Sequence, residues 1–196
     1  MQAPTKLNFK MYQGSTFSEV LRWESAKKVY KTITGVTQAA PCIVTAPTHG
    51  LPDGWRVKLT NIGGMTDLNS TEEYKVITKL TADTVELNAV NSVGYKAYTT
   101  GGILEYQQPV DLSGYTARMQ LRSSLTSTTT LDEYTSVNGK IQIDTVNYSI
   151  IILVDAVSTA AYTFNSALYS LELVSGTGVV TQLATGNITL VKEITK

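Results

Sequence analysis

The sequence predicts an all-β protein, and three observations carry that prediction. Apolar and polar residues alternate with a period of two along most of the chain. Thr, Val, Ile and Tyr, which suit a pleated half-buried surface, are abundant. Glycine- and proline-bearing turn signals separate the alternating stretches.

The elements follow in order. "KLNFKMYQG" sets Leu7, Phe9 and Met11 against Asn8 and Lys10. Gln13-Gly14 then marks a turn, and residues 1–30 read as a strand pair around it. "WRVKL" alternates Trp55, Val57 and Leu59 with Arg56 and Lys58. "YTARMQLR" does the same with Tyr115, Ala117, Met119 and Leu121, and "YSLEL" with Tyr169, Leu171 and Leu173. One face of each is expected to be buried and the other wet. "SIIILV" lacks alternation and reads as a central strand covered on both faces. One short helix is expected near 155–162, in "DAVSTAAYTF", capped by Asp155 or Ser158.

Two strands do not stand alone in water, so the N-terminal pair needs a host sheet. The C-terminal stretch is the natural host. Residues 1–32 plus 106–196 are therefore expected to form an antiparallel β-sandwich. Residues 33–105 are expected to be an inserted, small, barrel-like β-domain.

Composition narrows the function. The chain of 196 residues is 42% hydrophobic, enough for a packed core. Lys plus Arg and Asp plus Glu are 16 each, which gives no reason to expect nucleic acid or anionic lipid as a partner. The longest apolar run, Ile150–Val154, is far short of a membrane span, and the N-terminus has no core of signal-peptide length. A single cysteine fits a reducing site of synthesis. The charge is uneven: residues 1–34 hold six basic and two acidic residues. Lys6, Lys10, Arg22, Lys27 and Lys28, with Lys31, form a candidate docking surface for an acidic partner.

Sequence motifs for chemistry are sparse. Cys42, in "APCIVT", sits at a strand start with no base or helix N-terminus to lower its pKa, so a packed thiol is expected. His49, in "THGLPDG", reads as a turn residue bonded to neighbouring backbone. One His and one Cys offer no zinc set, and Asp67, Asn69, Glu72 and Glu73 lack a calcium-loop pattern. "SGTGVV" has Thr181 where a nucleotide loop needs its third glycine, and reads as a hairpin turn. Asp132-Glu133 reads as part of a Ser/Thr-rich surface connection rather than a glycosidase pair. No catalytic, cofactor or metal site is expected.

Two resemblances suggest a role. "VTAPTHGL", "GWRVKLTNIGGMTDLN", "YKV", "TVEL" and "AYTTGG" resemble, in order, a module of tailed-phage virion proteins. That module is labelled by similarity to the first catalytic cysteine half-domain of ubiquitin-activating enzymes. The ATP-binding domain needed for such activity has no room here. The flanks, "FKMYQGSTFSEVLRWE", "VDLSGYTARMQLRSS", "YSIIILVDAVSTAAYTF" and "YSLELVSGTGVVTQLATGNITLVKEIT", are similar to the N-terminal β-domain of phage baseplate upper and fibre-anchoring proteins. The resemblances imply a structural, non-enzymatic protein of a phage tail, baseplate, neck or fibre attachment. It would be made in the host cytoplasm, carried in the virion, and docked to other virion proteins in several copies around a symmetric ring. Capsid decoration is an alternative. So is carbohydrate binding or adhesion, which would call for an exposed Trp or Tyr patch. Trp23 and Trp55 lie in core-like alternation instead.

Overall fold

The computed structural model describes residues 4–70 and 72–194. It is all-β, with sixteen strands, one short α-helix and one 3-10 turn among those residues. The strands of the first half are β1 (Thr5–Lys6), β2 (Phe9–Tyr12), β3 (Phe17–Arg22), β4 (Glu24–Thr32), β5 (Gly35–Val36), β6 (Cys42–Thr45), β7 (Arg56–Gly63), β8 (Lys75–Lys79) and β9 (Thr84–Leu87). They are followed by β10 (Thr100–Pro109), β11 (Thr116–Arg122), β12 (Thr130–Thr135), β13 (Ile141–Asp144) and β14 (Ser149–Val154). After helix α1 (Ala156–Ala160) come β15 (Ser166–Val174) and β16 (Val180–Val191). One sheet curls into a half-barrel.

The chain forms two compact units, residues 1–23 with 111–196, and residues 24–110. These limits differ from the expected 33–105 insertion at both ends. The reason is β4, which pairs antiparallel with β10 from Thr32↔Ile103 to Glu24↔Pro109. Its alternation resembles that of the preceding strands, and local sequence carries no information about which distant strand it joins.

In the terminal unit, β1 and β2 add to β16 in a sheet of order β1-β16-β15-β11-β12. A second sheet has the order β13-β14-β3. The turn at Gly14 is present, with φ +76° there and Ser15 N–H donating to Tyr12 O at 3.2 Å. Yet β2 and β3 do not pair with each other as expected. The first joins β16 in parallel and the second joins β14 antiparallel. Between the sheets lies one core, built from the inward residues Ala117, Met119 and Leu121 of β11 and Tyr169, Leu171 and Leu173 of β15. Ile150, Ile152 and Val154 of the central strand β14 complete it. Helix α1 starts where Asp155 accepts from Ser158 N–H at 2.6 Å, so Asp155 is the cap.

β1 and β2 keep one register against β16, Thr5↔Ala184 and Phe9↔Ile188, with a break at Leu7 and Asn8. At that break the Leu7 carbonyl packs directly onto Gly186, where any side chain would collide with it. The Tyr169 hydroxyl donates to the same carbonyl at 2.8 Å.

The middle unit is one seven-stranded sheet of order β4-β10-β7-β8-β9-β6-β5. Trp55, Val57 and Leu59 are buried as their alternation predicts. The indole N–H of Trp55 donates to Gln107 O at 2.9 Å. Glu24 is held at the unit's edge by Arg56, whose Nε and Nη2 each donate to one carboxylate oxygen at 2.6 Å.

Candidate functional site

Cys42 and His49 both lie inside the middle unit, fully buried. The Cys42 thiol donates weakly to Thr37 O at 3.5 Å, and burial pushes its pKa up. A thiol so placed stays protonated, which opposes nucleophilic chemistry. The two nitrogens of His49 are engaged with backbone. Nδ1 accepts from Leu51 N–H at 2.9 Å, so the proton sits on Nε2, which donates to Thr81 O at 3.1 Å. Desolvation lowers its pKa and favours this neutral tautomer. Thr48 and Gly50, with φ +49° and +71°, form the turn that turns the ring inward.

The candidate calcium loop is used otherwise. Asn69 bridges Ile62, accepting from its N–H at 2.8 Å and donating to its carbonyl at 3.0 Å. Glu73 pairs with Lys75 at 3.3 Å. Among the described residues no group of three His, Cys, Asp or Glu is arranged to hold a metal ion.

The five candidate docking residues do not share a sheet. Lys6 and Lys10 project from the exposed face of the six-stranded sheet, while Arg22 ends β3 of the three-stranded one. Lys27 and Lys28 lie on β4 and so belong to the middle unit. Lys28 is paired with Glu105 at 2.6 Å, and that hydrogen bond raises its pKa. Lys31 donates to Thr48 O at 2.6 Å. The candidate residues divide between the two units because the chain changes unit between Trp23 and Glu24.

Asp132, expected in a surface connection, lies in β12 and is half-buried. Lys140 donates to its Oδ2 at 2.6 Å, and the Tyr162 hydroxyl makes a very short bond to the same oxygen. Tyr162 and Tyr134 share a hydroxyl contact at 3.1 Å. Burial first, then the Asp132 hydrogen bond, pushes the Tyr162 pKa far up; burial does the same for Tyr134. Both phenols therefore stay neutral, and neither is poised to exchange a proton near neutral pH. Glu133 points to the other face and accepts from Gln120 at 2.9 Å. Adjacent positions in a strand thus separate the two carboxylates that the sequence places side by side.

Trp23 packs edge-on against Tyr115 with ring centroids 5.9 Å apart, and Trp55 is fully buried. Neither indole lies open as a stacking platform. Comparison of the sequence with protein-family models and with curated proteins finds no match.

Proposed function

We propose that the chain is a structural component of a tailed bacteriophage particle that works by docking to other virion proteins. The observation that carries this reading is the ordered series of phage-module elements from "VTAPTHGL" to "AYTTGG", flanked by segments similar to a baseplate or fibre-anchoring β-domain. The burial and neutral states of Cys42 and His49 add support. An enzymatic reading of the middle segment would rest on those two residues, and both are engaged in holding backbone. On this reading the terminal unit docks, presenting Lys6 and Lys10 on an exposed sheet face. A stable contact of this kind buries on the order of 1,200 Å² or more. In a symmetric ring each copy makes the same contact.

The test is mass spectrometry and electron microscopy of purified particles of the phage that encodes the chain. The chain should appear at a stoichiometry set by ring symmetry, on the tail, neck or baseplate. Lys6→Glu with Lys10→Glu should lower the copies per particle, while Lys28→Glu, on the other unit, should not. A chain present in infected cells but missing from every purified particle would refute the proposal.

A further inference from the structure

The exposed face of the six-stranded sheet carries a groove of about 580 Å³, in the size range of small-ligand sites. Strand register builds it. Lys6 lies beside Thr185, Thr185 beside Ser170, and Ser170 beside Gln120, so four polar side chains form a row across β1, β16, β15 and β11. Asn187, Leu168 and Arg122 form a parallel row next to it.

The chemistry of the lining is one-sided. Among the described residues the lining includes Lys6 and Arg122 but no carboxylate; Glu133, outside the lining, accepts from the groove residue Gln120 at 2.9 Å. Lys6 Nζ has no hydrogen-bond or ion-pair partner among the described residues, and its side chain is exposed. Asn8, in the lining, accepts with its Oδ1 from Asn187 N–H at 3.0 Å, and its amide N–H groups have no hydrogen-bond partner among the described residues. Asn187 accepts from Ser166 Oγ at 2.7 Å, again through Oδ1, which leaves its own amide N–H groups available. Arg122 is held in place by donating to Ser127 O at 2.6 Å and to Gln120 Oε1 at 2.8 Å. Beside the apolar Leu125 and Leu168, the groove therefore presents donors from Lys6, Asn8 and Asn187, which favour a ligand with acceptors and negative charge.

We propose that this groove binds an acidic oligosaccharide. Three features favour a sugar over an acidic peptide. The donors are side chains spread over a sheet face, whereas peptides that add to sheets use main-chain groups at an edge. Amides and hydroxyls at strand spacing suit scattered sugar hydroxyls and ring oxygens. The strands that carry the two cations are three spacings apart, about 14 Å between backbones, with Arg122 one row along from Lys6, which favours an extended ligand over a single anion. The one aromatic residue among the described lining, Tyr169, is buried with its hydroxyl bonded to Leu7. Recognition thus depends on charge and hydrogen bonds instead of ring stacking, which selects acidic over neutral sugars. This inference is an alternative use of the face that presents Lys6 and does not rest on the assignment to a phage particle.

The experiment is calorimetric titration of the full chain with oligogalacturonate, a sialylated oligosaccharide and a sulfated oligosaccharide. Maltotetraose serves as the neutral control, oligoglutamate as the peptide control and inorganic phosphate as the simple anion. At least one acidic sugar should bind ten-fold or more tightly than maltotetraose, oligoglutamate and phosphate, with affinity falling as salt rises. Lys6→Gln, at an exposed site whose loss should leave thermal unfolding unchanged, should weaken that binding at least five-fold. Failure of all three acidic sugars to bind below millimolar concentration would overturn the proposal. Tighter binding of oligoglutamate would overturn it in favour of a peptide groove, and unchanged affinity in Lys6→Gln would show that the groove is not the site.

Discussion

The hydroxyl of Tyr106 donates to the backbone carbonyl of His49 at 2.6 Å. With the Leu51 and Thr81 contacts of the imidazole, this ties the 48–51 turn to β10 and to the turn before β9. His49→Ala removes an acceptor from Leu51 N–H and a donor from Thr81 O, both in a buried setting. The expected loss is about 2–4 kcal/mol, from orphaned polar groups plus a cavity. Denaturant unfolding followed by Trp55 fluorescence measures it. An effect below about 0.5 kcal/mol would mean that the ring is not a structural tie.

The same residue predicts a pH dependence. Desolvation holds His49 below its ordinary value of 6.5 in the fold, while the unfolded chain keeps the ordinary value. Well above pH 6.5 both states are neutral and the residue contributes no slope. As the pH falls below 6.5 the unfolded chain takes up a proton that the folded one refuses. Stability of the middle unit should decline through that window and level off once the pH passes below the folded value. Urea midpoints at a series of pH values check this. His49→Gln should lose the slope between pH 6.5 and 5 that the native chain shows.

What the sequence revealed divides along physical lines. The inward faces of β11 and β15 were legible because alternation is a local property, and Met119 and Leu171 sit where it puts them. The start of the helix was legible as far as two candidate caps, Asp155 and Ser158, and the structure selects Asp155. Pairing was not. Nothing near Lys27 or Tyr30 indicates that β4 lies against β10, or that β2 runs parallel to β16. The Asp132–Tyr162 bond joins positions 30 residues apart and stayed invisible on the same ground. The groove escaped too, because Lys6, Ser170 and Gln120 become neighbours only through the register of three strand pairs.

Cys42 should behave as a buried thiol. Iodoacetamide should label it slowly in the native chain and rapidly in denaturant, because only the thiolate attacks and burial disfavours it. Cys42→Ser should destabilise the middle unit by about 1–3 kcal/mol by placing a hydroxyl in an apolar site. Native labelling as fast as that of a free thiol would contradict the burial.

Gly186→Ala should be among the most damaging single-methyl additions in the terminal unit. The new Cβ would overlap the Leu7 carbonyl, a backbone atom that cannot rotate away. Relief requires β1 to lift from β16, which breaks the Tyr169–Leu7 bond and the Leu7 N–H bond to Thr185 O at 2.9 Å. The expected loss exceeds about 2 kcal/mol. Gly178→Ala, where no atom lies within 4 Å of the added carbon, is the comparison. Unlike Gly186, it carries positive φ, +83°, so its loss of about 1 kcal/mol measures backbone strain without collision. A loss at Gly186 smaller than that at Gly178 would show that the contact at Leu7 relaxes.

Residues 24–110 should fold as an independent unit. Its ends meet, since Glu24 and Pro109 are cross-strand partners in β4 and β10, where paired Cα atoms lie about 5 Å apart. The Arg56 fork on Glu24 closes that end of the sheet from within the unit. Its core side chains, among them Trp55, Leu59, Ile77 and Leu104, are fully or almost fully buried. The excised fragment should therefore unfold cooperatively, with Trp55 reporting the transition. The remainder, with residue 23 joined to 111 by a short Gly/Ser linker, should also unfold cooperatively, since β3 already pairs with β14 and β2 with β16. Trp23 reports that transition. A fragment 24–110 with no cooperative transition, or a remainder that aggregates on purification, would show that neither set of strands suffices by itself.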